Sequence, residues 1–219
     1  MLPTPDLSHL TSKDYEHVYE PAEDTFLLLD ALEADAQDLK NDHPNVCLEI
    51  GSGSGCLTCF IAKILGPSVL YLCTDINPHA CLCSVSTGVQ NKVSLEPINS
   101  NFALPFHFRL KRAVDVIIFN PPYVPTNMDE ARNAQYACDI QSSWAGGSDG
   151  MNITDQFLDL VEQLMGPRAR FYLVAVKEND IPSIRRRMLE IHGLQSDIVL
   201  HRRAGREHLF VLRFIRSLP

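Results

Sequence analysis

Short runs of β-branched and aliphatic residues recur along this chain with helix-like stretches between them. This alternation narrows the available architectures more than any other feature. Val46 to Ile50, Val69 to Thr74, Val93 to Ile98, Val114 to Phe119 and Ala169 to Val176 each read as strands. Most are nearly continuously apolar, as in strands covered on both faces of a parallel sheet. Glu20-Pro21-Ala22-Glu23-Asp24-Thr25 opens a helix, with proline early and acids in the first turn, where the macrodipole favours them. Its apolar face runs from Phe26 to Leu32, and the helix is expected to continue to Asn41-Asp42-His43-Pro44. Further helices are read from the glycine loop to Leu65, from Pro78 to Gln90, from Thr154 to Met165 and from Ile181 to Ile191. Asp197–His201 and His208–Phe214 close the chain as a hairpin turning at Gly205. The expected fold is therefore three-layer α/β, with a mostly parallel seven-stranded sheet and an antiparallel end strand.

A length of 219 residues at 45% hydrophobic content suits one domain with a sizeable core. The domain is expected over 16–219, with residues 1–15 as a flexible arm. No apolar run approaches the length of a membrane span, and the N-terminus lacks the apolar stretch of a signal peptide. A cytosolic or nuclear protein without a membrane partner is expected. Seven cysteines, an odd number scattered through apolar segments, do not form a disulfide framework. Cys56/Cys59 and Cys81/Cys83 read as small packing residues, since no histidine completes a zinc pattern. No metal site is expected. The formal charge of −8 argues against stable, sequence-independent nucleic-acid binding, which needs a basic face.

Two motifs carry chemistry. Gly51-Ser52-Gly53-Ser54-Gly55 joins a strand to a helix, so backbone can approach a ligand closely. Asp75 ends the next strand, where a carboxylate can accept both hydrogen bonds of a ribose diol. The third glycine comes one residue too early for a dinucleotide fingerprint. Glu49, two residues before the loop, would repel a pyrophosphate and suits a cationic ligand that bears an amino group. S-adenosylmethionine carries both an ammonium and a sulfonium.

The second motif is Asn120-Pro121-Pro122-Tyr123, directly after the Val114–Phe119 strand, at the end where open α/β sheets place their chemistry. An asparagine oxygen, backbone carbonyls beside prolines that lack N–H, and an aromatic face can together grip a planar NH2 group. Beyond it, Val124 to Ser143 is a long polar connection that reads as a lid or binding loop.

Glu49 to Gly55, Asp75-Ile76-Asn77-Pro78 and Asn120 to Tyr123 resemble class I methyltransferases of the HemK type, with a Rossmann-like fold. Tyr19 to Asp30, Trp144-Ala145-Gly146-Gly147 and Lys177-Glu178-Asn179 resemble the eukaryotic branch that modifies the peptide-chain release factor. The similarity runs from about Val18 to Phe214. It implies S-adenosylmethionine as cofactor, bound by Thr25, Glu49, Gly51, Gly53, Gly55, Asp75, Ile76, Asn101, Phe102 and Asn120. It implies Asn120, Pro121, Pro122 and Tyr123 as catalytic residues, with Asn120, Tyr123 and Trp144 contacting substrate. One position departs from the family, which usually has an aspartate where this chain has Asn101. The implied reaction is N5-methylation of the glutamine in the Gly-Gly-Gln motif of the eukaryotic class 1 release factor. Histone lysine and nucleic-acid adenine are the alternative targets. The implied partner is a small zinc-binding activator subunit, docked beside the third strand at an open sheet edge.

Overall fold

The computed structural model describes residues 2–127 and 140–216. Strands β1 (Val46–Ile50), β2 (Leu70–Asp75), β3 (Glu96–Asn99), β4 (Val114–Phe119), β5 (Met165–Val176), β6 (Leu194–Ala204) and β7 (Glu207–Arg216) form one sheet. Their order is β3-β2-β1-β4-β5-β7-β6. β1, β2, β3, β4 and β5 pair in parallel, while β7 runs antiparallel between β5 and the edge strand β6. The order reverses at β1, which has β2 on one side and β4 on the other. Such a switch point opens a crevice at the C-terminal strand ends.

Helices α1 (Ser12–Tyr15), α2 (Glu23–Ala34), α3 (Ala36–Asn41), α4 (Cys56–Leu65), α5 (Pro78–Asn91), α6 (Asn152–Leu164) and α7 (Ile181–His192) are the α-helices of the described residues. One core layer packs Leu28 and Leu32 of α2, Leu39 of α3 and Phe60 and Ile61 of α4 against Cys47, Val116, Ile118 and Tyr172. The opposite layer packs Phe157 and Val161 of α6 and Ile184 and Met188 of α7 against Leu48, Ile117, Phe171 and Phe214. Neighbouring residues of β1 and β4 thus serve opposite layers, which is why those strands read as unbroken apolar runs.

Strands β5 and β6 begin earlier than the sequence reading placed them, at Met165 and Leu194, and three further differences have a visible physical cause. The long N-terminal helix is two helices, broken at Asp35, whose carboxylate accepts bonds from Tyr172 Oη at 2.7 Å and Arg213 Nη1 at 2.8 Å. Strand β3 begins at Glu96 instead of Val93, because Lys92 turns left-handed (φ 58°) and Val93 N donates back to Gly88 O at 2.9 Å to close α5. The segment expected as an arm over 1–15 lies along the domain from Leu2 onward. Leu2 N donates to Glu33 Oε1 at 2.6 Å, Asp6 N to Asn91 Oδ1 at 2.8 Å, and Leu7 packs against the α2–α4 layer. Of the long connection Val124–Ser143, residues 128–139 lie outside the described residues.

Candidate active site

The glycine loop between β1 and α4 is a left-handed turn, with φ of 73° at Gly51, 50° at Gly53 and 78° at Gly55. At Gly55 a Cβ would come within 2.8 Å of the Ser84 backbone, so α4 and α5 approach here only because that atom is missing. The loop's own amides are largely spent. Gly51 N and Ser52 N donate to Thr74 O at 2.8 and 3.1 Å, and Gly53 N donates to Asp75 Oδ2 at 2.9 Å. Few donors remain to cradle a pyrophosphate, in agreement with the irregular glycine spacing. Asp75 Oδ1 accepts from Asn77 N at 2.8 Å, and each oxygen keeps a further lone pair for a hydroxyl ligand. Burial holds the Asp75 carboxyl above its ordinary range, while the bonds from Gly53 and Asn77 work against that rise.

Glu49 is buried at 1% exposure beneath the loop. Its Oε2 accepts from Thr58 N at 3.0 Å and from the Thr58 hydroxyl. Burial pushes its carboxyl up to about 8, the bonds from Thr58 pull it down, and the nearby charge of Asp75 adds to the rise. Among the described residues no cation is paired with it, so a cationic ligand would relieve the cost of holding it ionised.

At the end of β4 the Asn120 amide is fixed by one neighbour. Its Nδ2 donates to Asp24 Oδ2 at 3.0 Å, and Tyr123 Oη donates to the same oxygen at 3.2 Å. Asp24 Oδ1 accepts from Thr25 N at 2.7 Å and Tyr19 Oη at 3.1 Å. A carboxylate only accepts, so the nitrogen of Asn120 must face Asp24 and its oxygen must face away. That oxygen is buried and lacks a hydrogen-bond partner among the described residues. Burial, reinforced by the charges of Asp24 and Glu207, pushes the Tyr123 hydroxyl well above its ordinary value and keeps it a donor.

The Pro-Pro-Tyr turn is braced from behind. Val124 N donates to Trp144 O at 3.0 Å and Gly146 N to Val124 O at 2.9 Å, a short parallel bridge. A Cβ on Gly146 would lie 2.7 Å from Pro122 O, and one on Gly150 only 2.1 Å from Tyr123 O. The Trp144-Ala145-Gly146-Gly147 motif therefore supports the turn chiefly through its backbone.

A single cleft gathers most of the expected residues. Thr25, Glu49, Gly51, Gly53, Asp75, Ile76, Asn101, Phe102, Asn120 and Pro122 line it. Gly55 ends the loop against Ser84 without lining the cleft, and Tyr123 is buried against Asp24 instead of lining it. Pro121 is also buried and absent from the lining. Trp144 is half-buried against Ala145 and is not among the described residues that line the cleft, although its neighbours Ser142 and Ser143 are. Phe102, left-handed at φ 48° and 7% exposed, packs edge-on against Phe119 and forms a flat apolar wall. Sequence reasoning gave Asp24 and Tyr19 no place in the site, although both stand in the Tyr19–Asp30 motif and Asp24 is one of the first-turn acids of the helix. The signal was present: Asp24, Leu28 and Ala31 fall at helical spacing on one buried face, and an acid there needs partners.

The chain matches the family "Methyltransferase small domain" over residues 23–137. It is 45% identical to "Methyltransferase HEMK2" of Mus musculus, covering 99% of this chain and 98% of that protein. It is 39% identical to "eRF1 methyltransferase catalytic subunit mtq2" of Schizosaccharomyces pombe, covering 99% and 96%. Among solved structures it resembles the E. cuniculi Mtq2–Trm112 complex, with a TM-score of 0.68 at 25% identity over 91% of this chain and 99% of the matched one. That structure is described as responsible for methylation of the eRF1 translation termination factor. A Rossmann-like sheet, a glycine loop over a buried acid and an Asn-Pro-Pro-Tyr turn thus meet full-length similarity, and the chain belongs to the HemK-type methyltransferases, together with the HEMK2 and Mtq2 proteins.

Proposed function

We propose that this enzyme transfers a methyl group from S-adenosylmethionine to the side-chain nitrogen of the glutamine in the Gly-Gly-Gln motif of the eukaryotic class 1 release factor. The observation that carries this reading is the buried, unpartnered Asn120 Oδ1, an acceptor waiting for an N–H at the strand end. When bound, S-adenosylmethionine supplies an electrophilic methyl group on a sulfonium. Glu49 would accept from its ammonium, Asp75 from its ribose, and Phe102 would flank its adenine, beside Asn101 and Ile76. Thr25 and the glycine loop would complete the cradle.

An amide nitrogen is a poor nucleophile because its lone pair is delocalised into the carbonyl. Asn120 Oδ1 and the Pro121 carbonyl would each accept one N–H, turning the lone pair toward the methyl carbon and stabilising positive charge as it grows on nitrogen. The N–C bond would form as the S–C bond breaks, leaving the electron pair on sulfur as a thioether, and the nitrogen held by these acceptors would release one proton to water. No strong base is needed beforehand, since that proton becomes acidic only as the bond forms. Lysine would have to lose a proton first, so the paired acceptors fit an amide better.

The names of the relatives support the release factor as substrate and an activator as partner. A small zinc-binding subunit would add to the open edge of β3. There α5 presents Leu82, Val85 and Val89 to solvent in one stripe, the last 75% exposed, and Phe108 after β3 is 92% exposed. A cytosolic location fits a translation substrate. The test is tritiated methyl transfer by the co-expressed heterodimer onto intact release factor, with its Gln→Asn variant and the enzyme's Asn120→Ala variant alongside. Label on the wild-type factor alone, lost with Asn120→Ala while cofactor affinity holds within about threefold, is the expected result. Equal labelling of the Gln→Asn factor would overturn the assignment.

A further inference from the structure

We infer that Asp24 makes this site select a hydrogen-bond donor at the target position, by dictating which end of the Asn120 amide faces the cleft. The inference rests on the reading that Asn120 receives the target nitrogen. An asparagine side chain is nearly symmetrical in shape, with an acceptor at one end and two donors at the other, so packing alone scarcely distinguishes its two orientations. Here the distinction comes from Asp24 Oδ2, 3.0 Å from Asn120 Nδ2. Asp24 is itself held rigidly, 4% exposed, with Thr25 N, Tyr19 Oη and Tyr123 Oη on its two oxygens. Every one of these neighbours donates, so the carboxylate presents an acceptor to Asn120 in any arrangement. The outward end of Asn120 is then always an acceptor. A glutamine amide can enter with its NH2 toward it, whereas a carboxylate or the amide's own oxygen meets like with like. Asp24 thus acts as a positioning residue one bond behind the catalytic one.

The near-isosteric Asp24→Asn variant tests this with a determined outcome. The Thr25 amide, 2.7 Å from Oδ1, keeps an oxygen on its own side, so the new NH2 faces Asn120. Asn120 must then turn its oxygen inward and present its NH2 to the cleft. The experiment measures methyl transfer to the release factor, competition by the same factor with its motif Gln→Glu, and S-adenosylmethionine affinity by calorimetry. The expected result is cofactor affinity within about threefold of wild type, kcat down by about a hundredfold or more, and stronger competition by the Glu factor by about tenfold. Wild-type kcat, or an unchanged preference for Gln over Glu, would overturn the inference. Loss of cofactor binding together with activity would assign Asp24 a structural role instead and also overturn it. Should Asp24→Asn fold poorly, Asp24→Ala frees the amide to adopt both orientations, and the Gln-over-Glu preference must then fall without reversing. Full activity in Asn120→Ala would instead fail the functional reading, a result separable from any behaviour of Asp24.

Discussion

Glu49 is a residue whose environment is set against its own charge. With its carboxyl pushed up to about 8 by burial, the ligand-free protein holds it mostly protonated at neutral pH. The folded value lies above the ordinary 4.5, so its contribution to stability is complete below about 4.5 and is lost as the pH rises through about 8. A cationic ligand reverses the preference, because it favours the carboxylate. Affinity for S-adenosylmethionine is therefore expected to rise between pH 6 and 7.5, by up to about tenfold per unit, with a proton released on binding. Calorimetry in buffers of different ionisation heat measures both effects. Glu49→Gln should bind weakly with a flat profile, and a wild-type profile equally flat would remove Glu49 from the cation site. Sequence pointed to Glu49 because an acid inside an apolar strand is conspicuous. Asp24 was harder to read: its role depends on Asn120, 96 residues away, and no local pattern encodes that distance.

Among the elements, the turn after β4 depends on a partner it does not pair with in the main sheet. The Trp144–Gly147 segment hydrogen-bonds Val124 and holds Pro122 at backbone contact, which leaves no room for a methyl group at Gly146. Gly146→Ala should displace the turn by several tenths of an ångström, lower the melting temperature through overpacking of about 1–3 kcal/mol, and reduce transfer by about 10- to 100-fold. Cofactor affinity should stay close to wild type, since the glycine loop, Glu49 and Asp75 lie on other strands. Thermal melts and calorimetry separate the two effects, and undiminished turnover would show that the brace is dispensable. The motif was visible in the sequence, but its means of action was not. The backbone on either side of the tryptophan ring braces the turn, and the ring itself packs against Ala145. Likewise the pattern of strand β4 gave its bounds correctly. The start of β3 moved because closing α5 uses Val93 for a helix-end bond that competes with pairing.

Across the whole molecule, the sheet leaves β3 open at one side, next to an apolar stripe on α5. Val85→Lys with Val89→Lys should abolish co-purification of the activator subunit while leaving the melting temperature of the lone chain within a few degrees, because both side chains are exposed. Retained heterodimer after both changes would place the partner elsewhere. The sequence by itself determined the alternation of strands and helices, the buried parallel sheet and the two motifs at its C-terminal edge. Apolar periodicity, glycine and proline act locally, and local physics can be read residue by residue. Only the tertiary structure decided that β7 enters between β5 and β6, that the first residues lie along the domain, and that Asp24 governs Asn120. Each of those outcomes is a contact between segments far apart in the chain, chosen by which buried polar groups find partners once the layers have closed.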